Sequence, residues 1–262
     1  MNGEMYQLIR LVSYIKEAMQ TGSEKEFKLG KYESRILFSF LPKKNLLFSH
    51  DEKCDDVLSW YKGLKKREIK DINLINYFET NDIKLAGFSN AARQGIVTTY
   101  ADGNKTFWAA KWEFDDTVKL WTVYYKEFEW TESQDGAFYF PECRKDFERT
   151  LLDIEKLAHT LGFNGFANIF RGAYDTLTGK NNPTAPEWAK DTMPNFKGES
   201  LKLFLAASAA DVFGAMGSWN DSPYGVAFKK GLGEEYDRLS HDLYVSIKKA
   251  VMNAVNGFGD EK

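Results

Sequence analysis

The residues best suited to chemistry stand together at positions 211–224, written DVFGAMGSWNDSPY. Asp211 interrupts an otherwise apolar run, where an unpaired carboxylate costs several kcal/mol, so it needs a partner, a shifted pKa or a solvated cleft. Beyond it come Trp219, Asn220 and Asp221, then Ser222, Pro223 and Tyr224. As a ligand site, the segment offers an aromatic plate, an amide that donates and accepts, and two carboxylates. Asp211 and Asp221 could serve a hydrolase, with or without a divalent cation. As structure alone, Asp211 bonds loop N–H groups, Gly217 ends a helix, and Asn220 and Asp221 form side-chain turns ahead of the proline.

Two other groups of residues invite a functional reading. Lys62, Lys65, Lys66, Arg67 and Lys70 follow Trp60 and Tyr61, and cations beside aromatics can track a single-stranded nucleic acid and stack its bases. The plainer reading is a solvated helix face with both aromatics turned inward. Further on, Trp108, Trp112 and Phe114 share one face of a strand, and Trp121, Val123 and Tyr125 share one face of the next. Such a ladder binds a partner if exposed, with Trp121 and Tyr125 as its expected contact residues, or forms the sheet's side of the core if covered.

Several classes of chemistry lack their residues. No Gly-x-x-x-x-Gly-Lys-Ser/Thr loop is present, and Gly231-Leu232-Gly233 lacks the third glycine of a dinucleotide loop. The nucleophile-elbow pattern is missing, and His50, His159 and His241 are too scattered for a histidine-rich metal site. No metal and no cofactor are therefore expected. Asp55-Asp56 fits a helix N-terminus and Asp115-Asp116 a turn, so neither pair needs a catalytic role.

Composition sets the frame. The 262 residues carry 35 Lys and Arg against 38 Asp and Glu, a net charge of −3, which is not the footprint of a dedicated duplex-DNA binder. Nucleic acid is accordingly an unfavoured partner overall. At 43% apolar and 28% charged the chain is globular, and a chain this size buries roughly 73% of its surface on folding. Cys54 and Cys143, the only cysteines, make no disulfide framework, and no apolar run is long enough to span a bilayer. These features predict a soluble cytoplasmic protein. Aromatic residues make up 15% of the chain, a share that fits either a bulky core or a ligand surface.

The elements that must position these residues follow from periodicity. Residues 5–20 read as an amphipathic helix and 32–41 as a strand, with 46–50 as its partner after the turn at Pro42. A second helix, capped by Ser49 or Asp51, carries Val57, Trp60, Tyr61 and Leu64 inward, and residues 69–79 suit either a helix or a strand. Residues 83–90, 94–101, 105–114 and 117–130 alternate as four antiparallel strands, with an Asp102-Gly103 hairpin turn. From Pro141 onward the pattern is helical: a helical pair broken at Gly162, a long connection over 178–198, a buried helix over 201–216 and a last helix over 234–256.

The fold class this predicts is α+β: an antiparallel meander with flanking helices in the N-terminal half, then a four-helix C-terminal region. One domain over 1–262 is expected, sheet-rich to 131 and helical over 140–258, with a split near 135 as the alternative. The leading functional expectation is a non-catalytic binding or interaction protein with an unknown protein or small-molecule partner. The Asp211/Asp221 hydrolase and the single-strand binder through residues 60–70 stand behind it.

Overall fold

The computed structural model describes residues 1–42, 52–76, 94–131, 138–181 and 196–257. They divide into two compact units. The sheet unit contains Gln7–Ile75 and residues 94–131 of those described; the helical unit contains Met1–Tyr6, Asn76 and the described residues after 137. The architecture is α+β.

Helix α1 (Gly3–Thr21), which belongs to the sheet unit from Gln7 onward, is followed by β1 (Glu33–Ser39), β2 (Lys53–Cys54), α2 (Val57–Lys66), β3 (Ile69–Asn76, in the sheet unit up to Ile75), β4 (Gln94–Tyr100), β5 (Lys105–Asp115) and β6 (Leu120–Glu129). The six strands lie in the order β2-β1-β6-β5-β4-β3. β4–β5 and β5–β6 are antiparallel, as the alternation and the Asp102-Gly103 turn require. β1, however, pairs parallel with β6, in the register Ile36 to Val123 and Phe38 to Tyr125. The sheet is therefore mixed and not the antiparallel sheet expected. Turn chemistry reports only on chain neighbours, whereas a parallel partner lies across a long connection that leaves no local signal.

Residues 69–76 resolve as a strand, and the two-residue β2 pairs antiparallel with β1. The strands expected at 46–50 and 83–90 lie outside the described residues. α2 starts later than the sequence suggested because Asp56 caps it, its carboxylate accepting the Ser59 N–H at 2.6 Å.

One face of the sheet carries the aromatic core. Phe38 on β1 stacks on Trp60 of α2, with ring centroids 4.3 Å apart and planes within 5°. Trp108 meets Trp60 and Phe40 edge-on at 5.3 and 5.0 Å, and Tyr125 stacks on Phe38 at 5.3 Å. α2 can lie this close because it presents Gly63, where a Cβ would stand 2.6 Å from the Phe40 ring.

The helical unit contains α3 (Cys143–Leu161), α4 (Asn164–Leu177), α5 (Gly198–Ala210), α6 (Ser222–Lys229) and α7 (Gly233–Asn256). That is five helices among the described residues where four were expected. The additional one is α6, read as loop from sequence although proline near its start is a helix-opening signal. α5 stops at Ala210 and does not run on to Met216. The chain folds over instead, the Trp219 N–H donating to the Val212 carbonyl at 3.0 Å. No helix among the described residues is long and apolar enough to cross a membrane.

Candidate functional site

In the helical unit, the segment 211–224 folds around Trp219. The indole is fully buried between Phe166 and Phe170, both edge-on, and Tyr236, stacked at 5.3 Å. Its N–H donates to Ser240 Oγ at 2.8 Å, and its carbonyl accepts the Tyr236 hydroxyl at 2.6 Å. Asn220 Oδ1 accepts the Gly214 N–H and the Ser218 hydroxyl, while Asp221 Oδ2 accepts the Gly217 N–H at 2.8 Å. Tyr224 packs on Phe228 at 4.5 Å. Each of these polar groups therefore has a partner in the loop or on α7, and the Trp219 ring lies inside the helical unit.

Asp211 lies apart from that arrangement. Its carboxylate stands 2.9 Å from the α-amino group of Met1. Near it, Tyr6 and Ser208 share a hydrogen bond of 2.9 Å, and Lys248 is 8% exposed with its ammonium 5.1 Å from the Tyr244 ring centre. Burial holds the Lys248 pKa below the usual lysine value, and the Asp211 charge offsets part of that shift. The unfolded chain thus binds the proton more tightly than the folded one. The cost is fully present below the depressed folded pKa and fades as pH rises toward 10.5. Lys248→Met is accordingly expected to raise stability at pH 7 and to flatten the rise in stability as pH climbs from 7 toward 10.5. Chemical denaturation of both proteins across that range measures this.

Two grooves open on this unit. One, of about 580 Å³, is lined by Tyr139, Arg144, Glu199, Leu203 and Asn253 among others. Arg144 is taken up by Glu148, Glu199 and the Leu177 carbonyl, and the Asn253 amide bonds the Phe140 backbone on both sides. The other, of about 470 Å³, lies along α3 and α7, with Arg149 paired to Asp146 and Arg238 to Asp242. Their charged groups already satisfy one another. Among the described residues, no three His, Cys, Asp or Glu side chains gather closely enough to hold a metal ion. Cys54 and Cys143 are free and buried, and burial pushes each thiol up to about 11, leaving little reactive thiolate at neutral pH.

In the sheet unit, the basic stretch after Trp60 is occupied by structure. Lys62 and Lys65 pair with Glu24, and Trp60 and Tyr61 are buried. Arg67 turns inward to Glu127, a carboxylate only 1% exposed on the core face of β6. Tyr125, expected at a surface, is in the core, its hydroxyl donating to Gln7 Oε1 at 2.7 Å. Of the expected pair, Trp121 alone reaches solvent. It lies at the projecting end of the β5–β6 hairpin, 5.0 Å from Phe114 and 6.1 Å from Trp112.

The opposite face of the same sheet is open along β6 and its neighbours β1 and β5 but covered at β4, where Val97, beside Phe107, is fully buried. Because side chains alternate, Thr122, Tyr124, Lys126 and Phe128 of β6 point away from the buried Val123, Tyr125 and Glu127. The pairing registers set out this face as a grid. Phe128 lies beside Phe107, Lys126 between Ala109 and Ser39 with Lys53 beyond, Tyr124 between Lys111 and Leu37, and Thr122 between Glu113 and Arg35. Tyr124 is 39% exposed and Phe128 42%. Phe107 lies flat because its neighbour is Gly95: a Cβ there would enter the Phe107 ring and stand 2.6 Å from the Trp108 carbonyl oxygen. Sequence reasoning passed over Tyr124 and Phe128 because both faces of β6 are aromatic. Compared with the known protein families, with curated proteins and with solved structures, the chain matches none.

Proposed function

We propose that this is a non-catalytic binding protein and that its binding surface is the open face of the sheet around Tyr124 and Phe128. One observation carries the reading: two large aromatic side chains stand exposed on a strand that lies between β1 and β5 in the middle of the sheet. Aromatics placed where they add little to folding are the usual anchors of recognition surfaces. A paired role for Asp211 and Asp221 has less support, since each carboxylate is engaged by a different backbone group. Two free cysteines fit a reducing, cytoplasmic setting.

The test compares the wild type with Tyr124→Ala/Phe128→Ala in thermal unfolding, each alone and with short peptides, oligosaccharides and oligonucleotides. Surface substitutions shift stability by about 0.5 kcal/mol or less, so the double variant should melt within roughly 4 °C of the wild type. At least one probe should raise the wild-type midpoint and leave the variant's unchanged. A large drop in the variant's own midpoint, or no probe that separates the two, overturns the reading.

A further inference from the structure

Resting on that reading, we propose that the open face takes single-stranded nucleic acid, with bases stacked on Tyr124 and Phe128 and phosphates held by Arg35, Lys53 and Lys126. The charge of the face is opposite to that of the chain. Its paired positions carry Arg35, Lys53, Lys105, Lys111 and Lys126 against two carboxylates, Glu113, which pairs with Lys111 at 2.7 Å, and Asp115, which caps the hairpin turn, although the protein as a whole has a net charge of −3. The other acidic residues of these strands lie elsewhere: Glu127 is on the core face, Glu129 is on the same side of β6 as Glu127, and Glu33 bonds the Gly30 N–H and lies 3.7 Å from Arg10.

The arrangement also fits the chemistry of a single strand better than that of a duplex. Alternate residues on a strand are about 7 Å apart, so Tyr124 and Phe128 stand about 14 Å apart with Lys126 midway between them. Lys126 is flanked by the small side chains of Ala109 and Ser39, and its ammonium lies 5.7 Å from the Phe128 ring centre. Aromatic, cation, aromatic along one strand matches base, phosphate, base along an extended chain. Only unpaired bases expose the faces that such rings stack on, and stacking tolerates any base. Paired bases in a duplex keep those faces covered. The requirement for a strongly basic protein falls away, because stacking supplies much of the affinity.

Fluorescence anisotropy with a labelled 12-nucleotide single strand, as RNA and as DNA, tests this on the full chain. With three phosphate contacts, affinity should fall on the order of 20-fold between 50 and 200 mM salt. Tyr124→Ala/Phe128→Ala should weaken binding at least tenfold, and Tyr124→Leu/Phe128→Leu, which keeps apolar bulk without the rings, should do the same. Lys53→Glu/Lys126→Glu should also weaken it tenfold or more and flatten the salt dependence. Lys145→Glu, on α3, should change it less than twofold. Equal competition by heparin or by a duplex of the same length would reduce the face to a polyanion contact and overturn the stacking role. So would no binding at 50 mM salt. If oligonucleotides fail while a peptide or sugar loses binding in the Tyr124/Phe128 variants, this inference falls and the binding-surface reading stands. If no probe distinguishes those variants, both fall.

Discussion

Glu127→Ala is expected to destabilise the sheet unit by about 3–5 kcal/mol, the range seen when one partner of a buried ion pair is removed. Glu127 Oε1 accepts the Tyr100 and Thr106 hydroxyls, both at 2.7 Å, and Oε2 accepts the Leu41 N–H at 2.8 Å and Arg67 Nη1 at 3.3 Å. Truncation strands four donors inside the fold. Burial, the larger of the two causes that hold the Tyr100 pKa well above the usual tyrosine value, persists when the Glu127 charge is gone, so the hydroxyl stays a protonated donor. Arg67 keeps Glu52 and the Leu41 carbonyl, and its guanidinium stays 4.1 Å from the Phe40 ring centre, so part of its environment survives. The midpoint of the sheet unit's transition should fall by roughly 10 °C or more. Glu127→Leu combined with Arg67→Met should recover part of the loss, since the apolar pair leaves neither charge buried alone. A Glu127→Ala cost below about 1 kcal/mol would mean that water replaces the carboxylate.

Trp219→Ala should cost about 3–5 kcal/mol in the helical unit, as for other buried tryptophan truncations. The lost ring is the common neighbour of Phe166 and Phe170 on α4 and of Tyr236 on α7, so two helices lose a packing partner at once. Trp219→Phe keeps most of the volume and removes the donor to Ser240, and about 1–2 kcal/mol is expected for it. Urea denaturation of the two variants separates packing from hydrogen bonding. Comparable losses in both would assign the dominant role to the indole N–H.

How far the sequence could be read depended on whether a residue's partner was nearby along the chain. The β4–β5–β6 meander follows from alternation and from Asp102-Gly103, both local. The inward turn of Val57, Trp60, Tyr61 and Leu64 also followed from helical spacing, and all four are buried. The parallel β1–β6 contact did not, because Phe38 and Tyr125 carry no mark of each other. The early end of α5 likewise depends on Trp219 returning to Val212, a tertiary event. The candidate surface was missed for a different reason. On β6, Trp121, Val123 and Tyr125 are no less apolar than Tyr124 and Phe128, so alternation defines two faces without saying which one is covered. Coverage is decided by Phe38, which stacks on Tyr125, and by Phe40 and Trp60, which pack on Trp108 of the neighbouring β5, all from elsewhere in the chain.

The parallel pairing of β1 with β6 sets the order in which this unit can form. β1 is the first strand made and β6 the last, yet they are neighbours in the sheet, so Ile36 cannot meet Val123 until most of the unit has been synthesised. Contacts this distant slow folding, because loop-closure entropy is lost before they reward it. A nascent chain that has reached β5 but not β6 displays Ile36, Phe38 and Phe40 on a strand edge that lacks its partner. During translation that edge is a template for the wrong strand, and co-synthetic folding of this protein has its most vulnerable interval just before residue 120 emerges.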